Sequence, residues 1–115
     1  MSKHVNISDV LVVLTNLPDK QAATQLAQMV VQQNLAACVN ILNPCESFYY
    51  WQGKMEHSTE IPVMIKTTQA QYQALETAIL AVHPYELPEI IALHIHDGYK
   101  PYLQWLCAQK NITLC

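Results

Sequence analysis

Two stretches of β-type sequence, residues 37–51 and 54–68, flank Gln52-Gly53 and constrain the fold more than any other feature of the chain. Gln52-Gly53 is typical of a hairpin apex, so the two stretches predict the arms of one β-hairpin. Each arm of about 15 residues spans roughly 50 Å at ~3.3 Å per residue, whereas a domain of this size has a radius of gyration of only about 13 Å. We therefore expect the tip of the hairpin to project from the body of the protein or to bend.

The tip of this hairpin carries large aromatic side chains that point to both of its faces: Phe48, Tyr49, Tyr50 and Trp51. An exposed aromatic hairpin with open edges would aggregate unless it were paired. We therefore expect these residues to form an oligomer contact, in which the hairpin adds strands to the sheet edge of another subunit.

The order of the remaining patterns is β-α-β, then β-α-β, then one short C-terminal helix. Residues 10–14 form a continuous apolar run, as in a strand buried on both faces. Apolar residues recur at steps of three and four in residues 23–31 and 72–82, as in helices with one buried face, and Asn43-Pro44 predicts a kink or bulge. Two such units predict an α+β, ferredoxin-like fold: an antiparallel four-stranded sheet with both long helices on one face, whose second and third strands form the long hairpin. We expect a single domain over residues 1–115.

The composition limits the classes of function. Only 13% of the residues are charged, against about 25% in a typical soluble domain, which suggests that much of the surface is buried against partners. All six basic residues are lysines and the net charge is −3, so we expect no nucleic-acid partner. No apolar run approaches the ~20 residues of a membrane span. The longest near the N-terminus, residues 10–14, is too short for the roughly 7–15 residues of a signal-peptide core. We therefore expect a cytoplasmic protein with no membrane partner, whose four cysteines are free thiols.

A rigid polar connector follows the second predicted helix: His83-Pro84-Tyr85-Glu86-Leu87-Pro88-Glu89. Its two prolines make a helix interior or a central strand unfavourable, because proline fixes φ and removes an N–H donor. A rigid polar loop after a packed element is where binding residues tend to lie.

These features carry a resemblance to a known family. From Asp9 to about Leu106 the chain resembles the CutA family, the divalent-cation-tolerance proteins. Five motifs match in the same order: Leu35-Ala36-Ala37-Cys38, Tyr50-Trp51-Gln52-Gly53-Lys54, Ile65-Lys66-Thr67-Thr68, His83-Pro84-Tyr85 with Pro88-Glu89, and Tyr102-Leu103-Gln104-Trp105-Leu106. The resemblance implies a ferredoxin-like homotrimer related in architecture to the PII signalling proteins. It also implies a link to copper tolerance and to divalent-metal binding, and no enzymatic reaction.

One departure from the family concerns copper. Some bacterial relatives combine a cysteine at the end of the first strand with a His-His pair before the Pro-Tyr. Here Thr15 ends the predicted strand, and the pair is Val82-His83. Thiolate and imidazole are the ligands that favour copper, so two of the three donors are missing and only His83 is left.

The candidate metal ligands are three histidines: His83, His94 and His96. His83 could bind a metal or cap the C-terminus of the second helix. His94 and His96 would lie on one strand face, about 6–7 Å apart. We expect this to be the helix-free face of the sheet, where they either form a polar patch at a subunit contact or share a Cu or Zn ion with donors from a neighbouring subunit.

Four further residues are candidates for a ligand cleft shared between subunits: Lys66, Tyr85, Glu86 and Glu89. Lys66 ends an apolar strand, and its ammonium group could hold a small anion or simply extend into water.

The sequence thus leaves three functions open, each for a homotrimer without an obligatory cofactor. The first is weak divalent-metal binding in a response to metal ions, which we favour. The second is a PII-like sensor that holds a small anionic ligand between subunits. The third is a stable trimeric scaffold.

Overall fold

One open antiparallel sheet runs through the protein and carries two long helices. The structure is a computed structural model that describes residues 7–109. After a 3-10 turn at Ile7–Asp9, the elements are β1 (Val10–Leu17), α1 (Lys20–Gln32), β2 (Cys38–Ile41), β3 (Cys45–Trp51), β4 (Lys54–Thr68), α2 (Gln69–Val82), β5 (Ile90–His94) and α3 (Lys100–Cys107). That residues 1–115 form one domain stays a prediction, because both ends of the chain lie outside the described residues.

The strand order is β2-β4-β1-β5, and β3 pairs with the remaining length of β4. Every pairing is antiparallel. The predicted second strand, residues 37–51, is divided into β2 and β3. The break includes Asn43-Pro44, where proline removes a donor from the ladder, so the predicted interruption is confirmed. The sheet therefore has five strands rather than four, and its β-α-β order is that of the predicted ferredoxin-like fold.

α1 begins at a side-chain cap. The Asp19 carboxylate accepts a hydrogen bond of 2.8 Å from the backbone N–H of Ala22, which satisfies one of the unpaired donors of the first turn. After the helix, Asn34 takes a left-handed conformation with φ of 61°, and the chain turns toward β2. The helix predicted from residues 23–31 is thus confirmed.

Both long helices pack on one face of the sheet. Leu11 and Val13 of β1 share a buried cluster with Leu26 of α1 and with Leu75 and Ile79 of α2. Successive side chains of a strand point to opposite faces, so Val12 and Leu14 point away from the helices. One face of β1 is therefore closed within the chain.

The opposite face of the sheet is apolar and uncovered over much of its width. Cross-strand partners share a face, and the register pairs Val12 with Leu93 and Leu14 with both Met64 and Ile91. Ile91 is 46% exposed and Leu93 is 47% exposed. We call this surface the open face and define it by Val12, Leu14, Met64, Ile91 and Leu93.

α3 covers one end of the open face. Leu103 and Leu106 of α3 pack with Val10, which precedes Val12 by two positions on β1. This small second core leaves the five residues of the open face uncovered by the described part of the chain.

The hairpin of β3 and β4 projects from the sheet, as predicted. The protein extends 55 Å along its longest axis, and its radius of gyration is 15.2 Å, above the about 13 Å of an ordinary domain of this length. Gln52 and Gly53 both have positive φ, at 52° and 80°, as a two-residue hairpin turn requires. Phe48 and Tyr50 are 64% and 76% exposed. Their role as an oligomer contact stays a prediction.

The cysteines follow the prediction in part. Cys38 and Cys45 are free thiols. Cys107 is buried and disulfide-bonded, so the prediction of a free thiol is wrong there. Cys115 lies outside the described residues. Within residues 7–109, no helix combines the length and the apolar character that a membrane crossing needs.

Candidate ligand groove

A groove of about 940 Å³ lies between the hairpin and the connector at residues 83–89. Its hairpin wall is formed by Ser47, Phe48, Tyr49, Trp51, Glu56, Ser58 and Glu60. Its connector wall is formed by Pro84, Tyr85, Glu86, Leu87 and Glu89, and Asn16 lies at the end of β1.

The period of the strands explains which hairpin residues reach the groove. Glu56, Ser58 and Glu60 alternate along β4 and therefore share one face. Tyr49 pairs with Glu56 across the hairpin, and its hydroxyl lies 3.4 Å from that of Ser58. By the same alternation this face continues along β4 to Met64, so the groove is a polar extension of the open face.

The alternate positions of the hairpin carry a second group of side chains, of which Phe48 also reaches the groove lining. The rings of Phe48 and His57 stack with centroids 4.2 Å apart. His57 also pairs with the Glu46 carboxylate at 2.9 Å. Residues 46 and 57 point to the hairpin face opposite to that of Glu56 and Glu60. This ion pair therefore does not neutralise the acids of the groove wall.

His83 fixes the connector wall. α2 ends at Val82, and Pro84 prevents the helix from continuing. The His83 Nδ1 atom accepts from the N–H of Tyr85 at 3.2 Å, so the ring proton is on Nε2, which donates to the carbonyl oxygen of Asn16 at 2.8 Å. Both ring nitrogens are engaged, which leaves neither open to a metal in this conformation. The ring bonds to the end of β1 and not to the last carbonyls of α2, so it does not form the predicted side-chain cap either.

The groove is acidic. Four glutamates line it, and its described lining includes no lysine, arginine or histidine. Glu60 is only 7% exposed, and its carboxylate accepts a hydrogen bond from the hydroxyl of Tyr85. Burial of Tyr85 and then the Glu60 carboxylate raise the pKa of the Tyr85 phenol, so this phenol stays neutral. Glu89 accepts a long hydrogen bond of 3.5 Å from the Asn16 amide. This charge distribution suits a cation and opposes an anion.

The structure brings together three of the four residues predicted for the ligand cleft. Tyr85, Glu86 and Glu89 all line the groove. Lys66 does not: it pairs with Val12 and Cys38 on the sheet, six positions along β4 from Glu60, which is about 20 Å of strand. Within one chain, the predicted cleft therefore has no cation for an anionic ligand.

Within one chain, His83 is also separated from the other two predicted histidine ligands. His83 contacts Asn16 at one end of β1, whereas His94 pairs with Leu11 near the other end, roughly 16 Å away along the strand. Sharing a face with Leu11 places His94 on the helix side of the sheet, at an exposed edge, so the prediction that it lies on the helix-free face is wrong. β5 ends at His94, and His96 lies beyond it. Across residues 7–109, no three or more His, Cys, Asp and Glu side chains form a group that could hold a metal ion.

The two positions that depart from the copper pattern lie outside the groove lining. β1 continues past Thr15 to Leu17, and the Thr15 side chain is buried. Its hydroxyl has no hydrogen-bond partner among the described residues. Val82 is 56% exposed at the end of α2.

Sequence reasoning missed the acids of the hairpin wall. The aromatic residues are the only residues predicted for a contact on the hairpin, and Glu56 and Glu60 are not among the predicted site residues. The available signal was Glu60 itself, which directly precedes the apolar run of residues 61–65. A carboxylate at the start of a buried run needs a polar environment, and the groove provides one.

Comparison with known proteins identifies the family. Residues 11–109 match the family model described as CutA1 divalent ion tolerance protein. The chain belongs to the CutA1 family. It is 43% identical over 104 residues to the divalent-cation tolerance protein CutA of Yersinia pestis (strain Pestoides F), which covers 90% of this chain and 87% of the relative.

Solved structures of the CutA1 family confirm the predicted fold. CutA1 from Oryza sativa superposes with a TM-score of 0.83 at 39% identity, over 88% of this chain and 94% of the rice chain. CutA from Archaeoglobus fulgidus, described as a periplasmic divalent cation tolerance protein, superposes with a TM-score of 0.81 at 33% identity, over 84% and 93% of the two chains.

Proposed function

We propose that this CutA1-family chain acts in divalent-cation tolerance as a homotrimer that binds divalent metal ions weakly, at sites completed between copies. The observation that carries the proposal is the open face, an apolar surface at the centre of a sheet in a family named for tolerance of divalent ions.

The open face supports assembly. Fully burying an isoleucine or leucine side chain contributes about 1.5–3 kcal/mol. Ile91 and Leu93 are each nearly half exposed, so covering them adds about half of that amount per side chain. The projecting aromatic hairpin offers each copy a second contact with its neighbour.

Metal binding then depends on ligands from more than one copy. Imidazole nitrogen suits copper and zinc, and His94 and His96 are exposed at the edge strand and just after it. Because two histidines are too few for a stable site, the missing donors come from a neighbouring copy in this proposal. His83 contributes by holding the connector, since its ring nitrogens already have partners.

The remaining expectations belong to the same proposal. The trimer has no catalytic step and no obligatory cofactor, and it acts in the cytoplasm without a nucleic-acid or membrane partner. Copper is its least supported metal, because Thr15 and Val82 replace the thiol and the imidazole of some relatives.

Sedimentation velocity and equilibrium dialysis with Zn(II) and Cu(II) test the proposal together. We expect the mass of three copies, and saturable metal binding that His94→Ala and His96→Ala each reduce. His57→Ala is the matched control, because this exposed histidine pairs with Glu46 on the hairpin. A single folded copy at micromolar concentration would contradict the assembly. A trimer without saturable metal binding would leave the anion-sensor and scaffold roles.

A further inference from the structure

A lysine beside the open face and a buried glutamate in the groove have no ion partner among residues 7–109. We infer that in the proposed trimer the Lys66 ammonium of one copy enters the groove of the next copy and pairs with the Glu60 carboxylate there. The inference rests on the proposed assembly and deepens it, because it names the charged contact that orients neighbouring copies.

Lys66 points to the same side of the sheet as the open face. It pairs with Val12 of β1 on one side and with Cys38 of β2 on the other, so its side chain starts from the middle of that surface. Lys66 is already half-buried in the single chain. When a neighbour covers Val12 and Leu93, the ammonium group loses more of its water. A charge removed from water is stable only beside a group of opposite charge.

Glu60 lacks a counter-charge at the acidic end of the same face. Its side chain is 7% exposed, and its hydrogen-bond donor, Tyr85, is a neutral phenol. A neutral hydroxyl satisfies one acceptor site of the carboxylate but does not balance its charge. A neighbour that covers the hairpin wall removes the remaining water. The contact between copies therefore requires a cation at this position.

Lys66 and Glu60 cannot satisfy each other within one chain. They lie six positions apart on the continuous strand β4, which is about 20 Å. The ion pair must therefore form head to tail, between the Lys66 end of one copy and the Glu60 end of the next. Head-to-tail contacts form a ring when the rotation between copies closes. A ring of three copies contains three such pairs and leaves neither charge unpaired.

Lys66 fits this role better than the other lysines whose side chains the structure describes. Lys20 begins α1, Lys54 lies at the hairpin tip and Lys100 begins α3. All three are exposed, and an exposed lysine gains little from an ion pair because water already solvates its charge. Lys66 is the one among them that the proposed contact buries.

A double-mutant cycle on trimer dissociation tests the inference. Mass photometry of a dilution series, in urea below the concentration that unfolds the chain, gives the concentration at which half of the trimer dissociates. We expect Lys66→Met and Glu60→Gln each to raise it at least about tenfold, because each leaves its partner buried without a counter-charge. The double variant should dissociate at about the same concentration as the single variants, since the second change removes a charge whose partner is already lost.

Two matched controls make the same changes in charge outside the contact. Lys20→Met changes the exposed first residue of α1. Glu76→Gln on α2 changes another carboxylate that accepts from a tyrosine hydroxyl, that of Tyr72 at 2.8 Å. Neither variant should shift trimer dissociation.

Carbodiimide cross-linking of the unchanged protein provides a second measurement that does not depend on the folding of Glu60→Gln. We expect mass spectrometry to find the Lys66 amine joined to the Glu60 carboxylate, and only between copies. The inference is overturned if Lys66→Met leaves dissociation unchanged, if the effects of the two changes multiply, or if cross-linking joins Lys66 to a different carboxylate. These results leave the proposed trimer intact, whereas an unchanged protein that sediments as a single copy contradicts the assembly itself.

Discussion

The two faces of the central sheet are equally apolar in β1 but differ in what covers them. On one face, Leu11 and Val13 are almost fully buried under the two long helices. On the other, Val12 and Leu14 are only half-buried beside the exposed Ile91 and Leu93. A continuous apolar strand predicts that both of its faces are buried, whereas one folded chain buries only the face under the two helices.

The groove lies where the open face changes from apolar to acidic side chains. Along β4 the open-face positions continue from Met64 through Pro62 to Glu60, so the face runs from apolar to acidic. An apolar surface favours a protein partner, and the acidic end favours a cation. One sheet face thus presents two chemically different surfaces.

The largest effect is expected on the helix-covered face. Leu75→Ala removes a fully buried side chain and should lower the free energy of unfolding by about 2–5 kcal/mol, because it leaves a cavity in the core. Urea denaturation measures this loss. Leu80→Ala, at a position of α2 that is 53% exposed, should cost less than about 1 kcal/mol. Equal losses in the two variants would contradict the assignment of the core.

The open face should control assembly rather than folding of the single chain. Leu93→Asp places a charge on the proposed contact and should convert the trimer to smaller species, because an unpaired charge cannot be buried there. Sedimentation velocity measures the change. Leu80→Asp is the matched control, since it puts the same charge on the outer surface of α2. A Leu93→Asp trimer would show that the neighbour covers some other surface.

Two threonines on the helix-covered face of the sheet differ in the hydrogen bonding of their hydroxyl groups. The Thr67 hydroxyl donates to the carbonyl oxygen of Leu35 at 2.7 Å, whereas the buried Thr15 hydroxyl has no partner within the described chain. Thr15→Val should therefore raise the free energy of unfolding by about 1 kcal/mol, and Thr67→Val should lower it by about 1 kcal/mol. Opposite signs in urea denaturation support this assignment. A loss of stability in both variants would mean that Thr15 has a partner.

The smallest effect concerns the acidic end of the open face. Burial and the Glu60 carboxylate raise the pKa of Tyr85 above its ordinary 10.0. The folded state holds this proton more tightly than the unfolded state, so the associated stability is present below pH 10 and decreases as the pH rises above it.

Tyr85→Phe should therefore make the alkaline loss of stability shallower than in the unchanged protein. Urea midpoints at pH values on either side of 10.0 measure it. Tyr50→Phe, which removes a phenol from a side chain that is 76% exposed, should leave the pH dependence unchanged. A parallel decline in the Tyr85→Phe variant would exclude the contact with Glu60.

Most of the fold could be predicted because local patterns specify it. The steps of three and four in α1 and α2, the Asn43-Pro44 break and the Gln52-Gly53 apex each depend on residues close together in the chain. The site could be predicted only in part. The connector was recognised from its prolines, but its partner wall of Glu56 and Glu60 is distant in sequence.

The sequence by itself determined the order of the elements, the length of the hairpin and the apolar character of both sheet faces, because backbone geometry and side-chain period are local properties. Only the tertiary structure decided that His94 lies on the helix side, that Tyr85 contacts Glu60 rather than Lys66, and that the His83 ring is held by Asn16 and Tyr85. These outcomes depend on strand register and on which segments meet in space. Since a shift of one residue in register moves every side chain to the other face, no pattern within a single strand could have specified them.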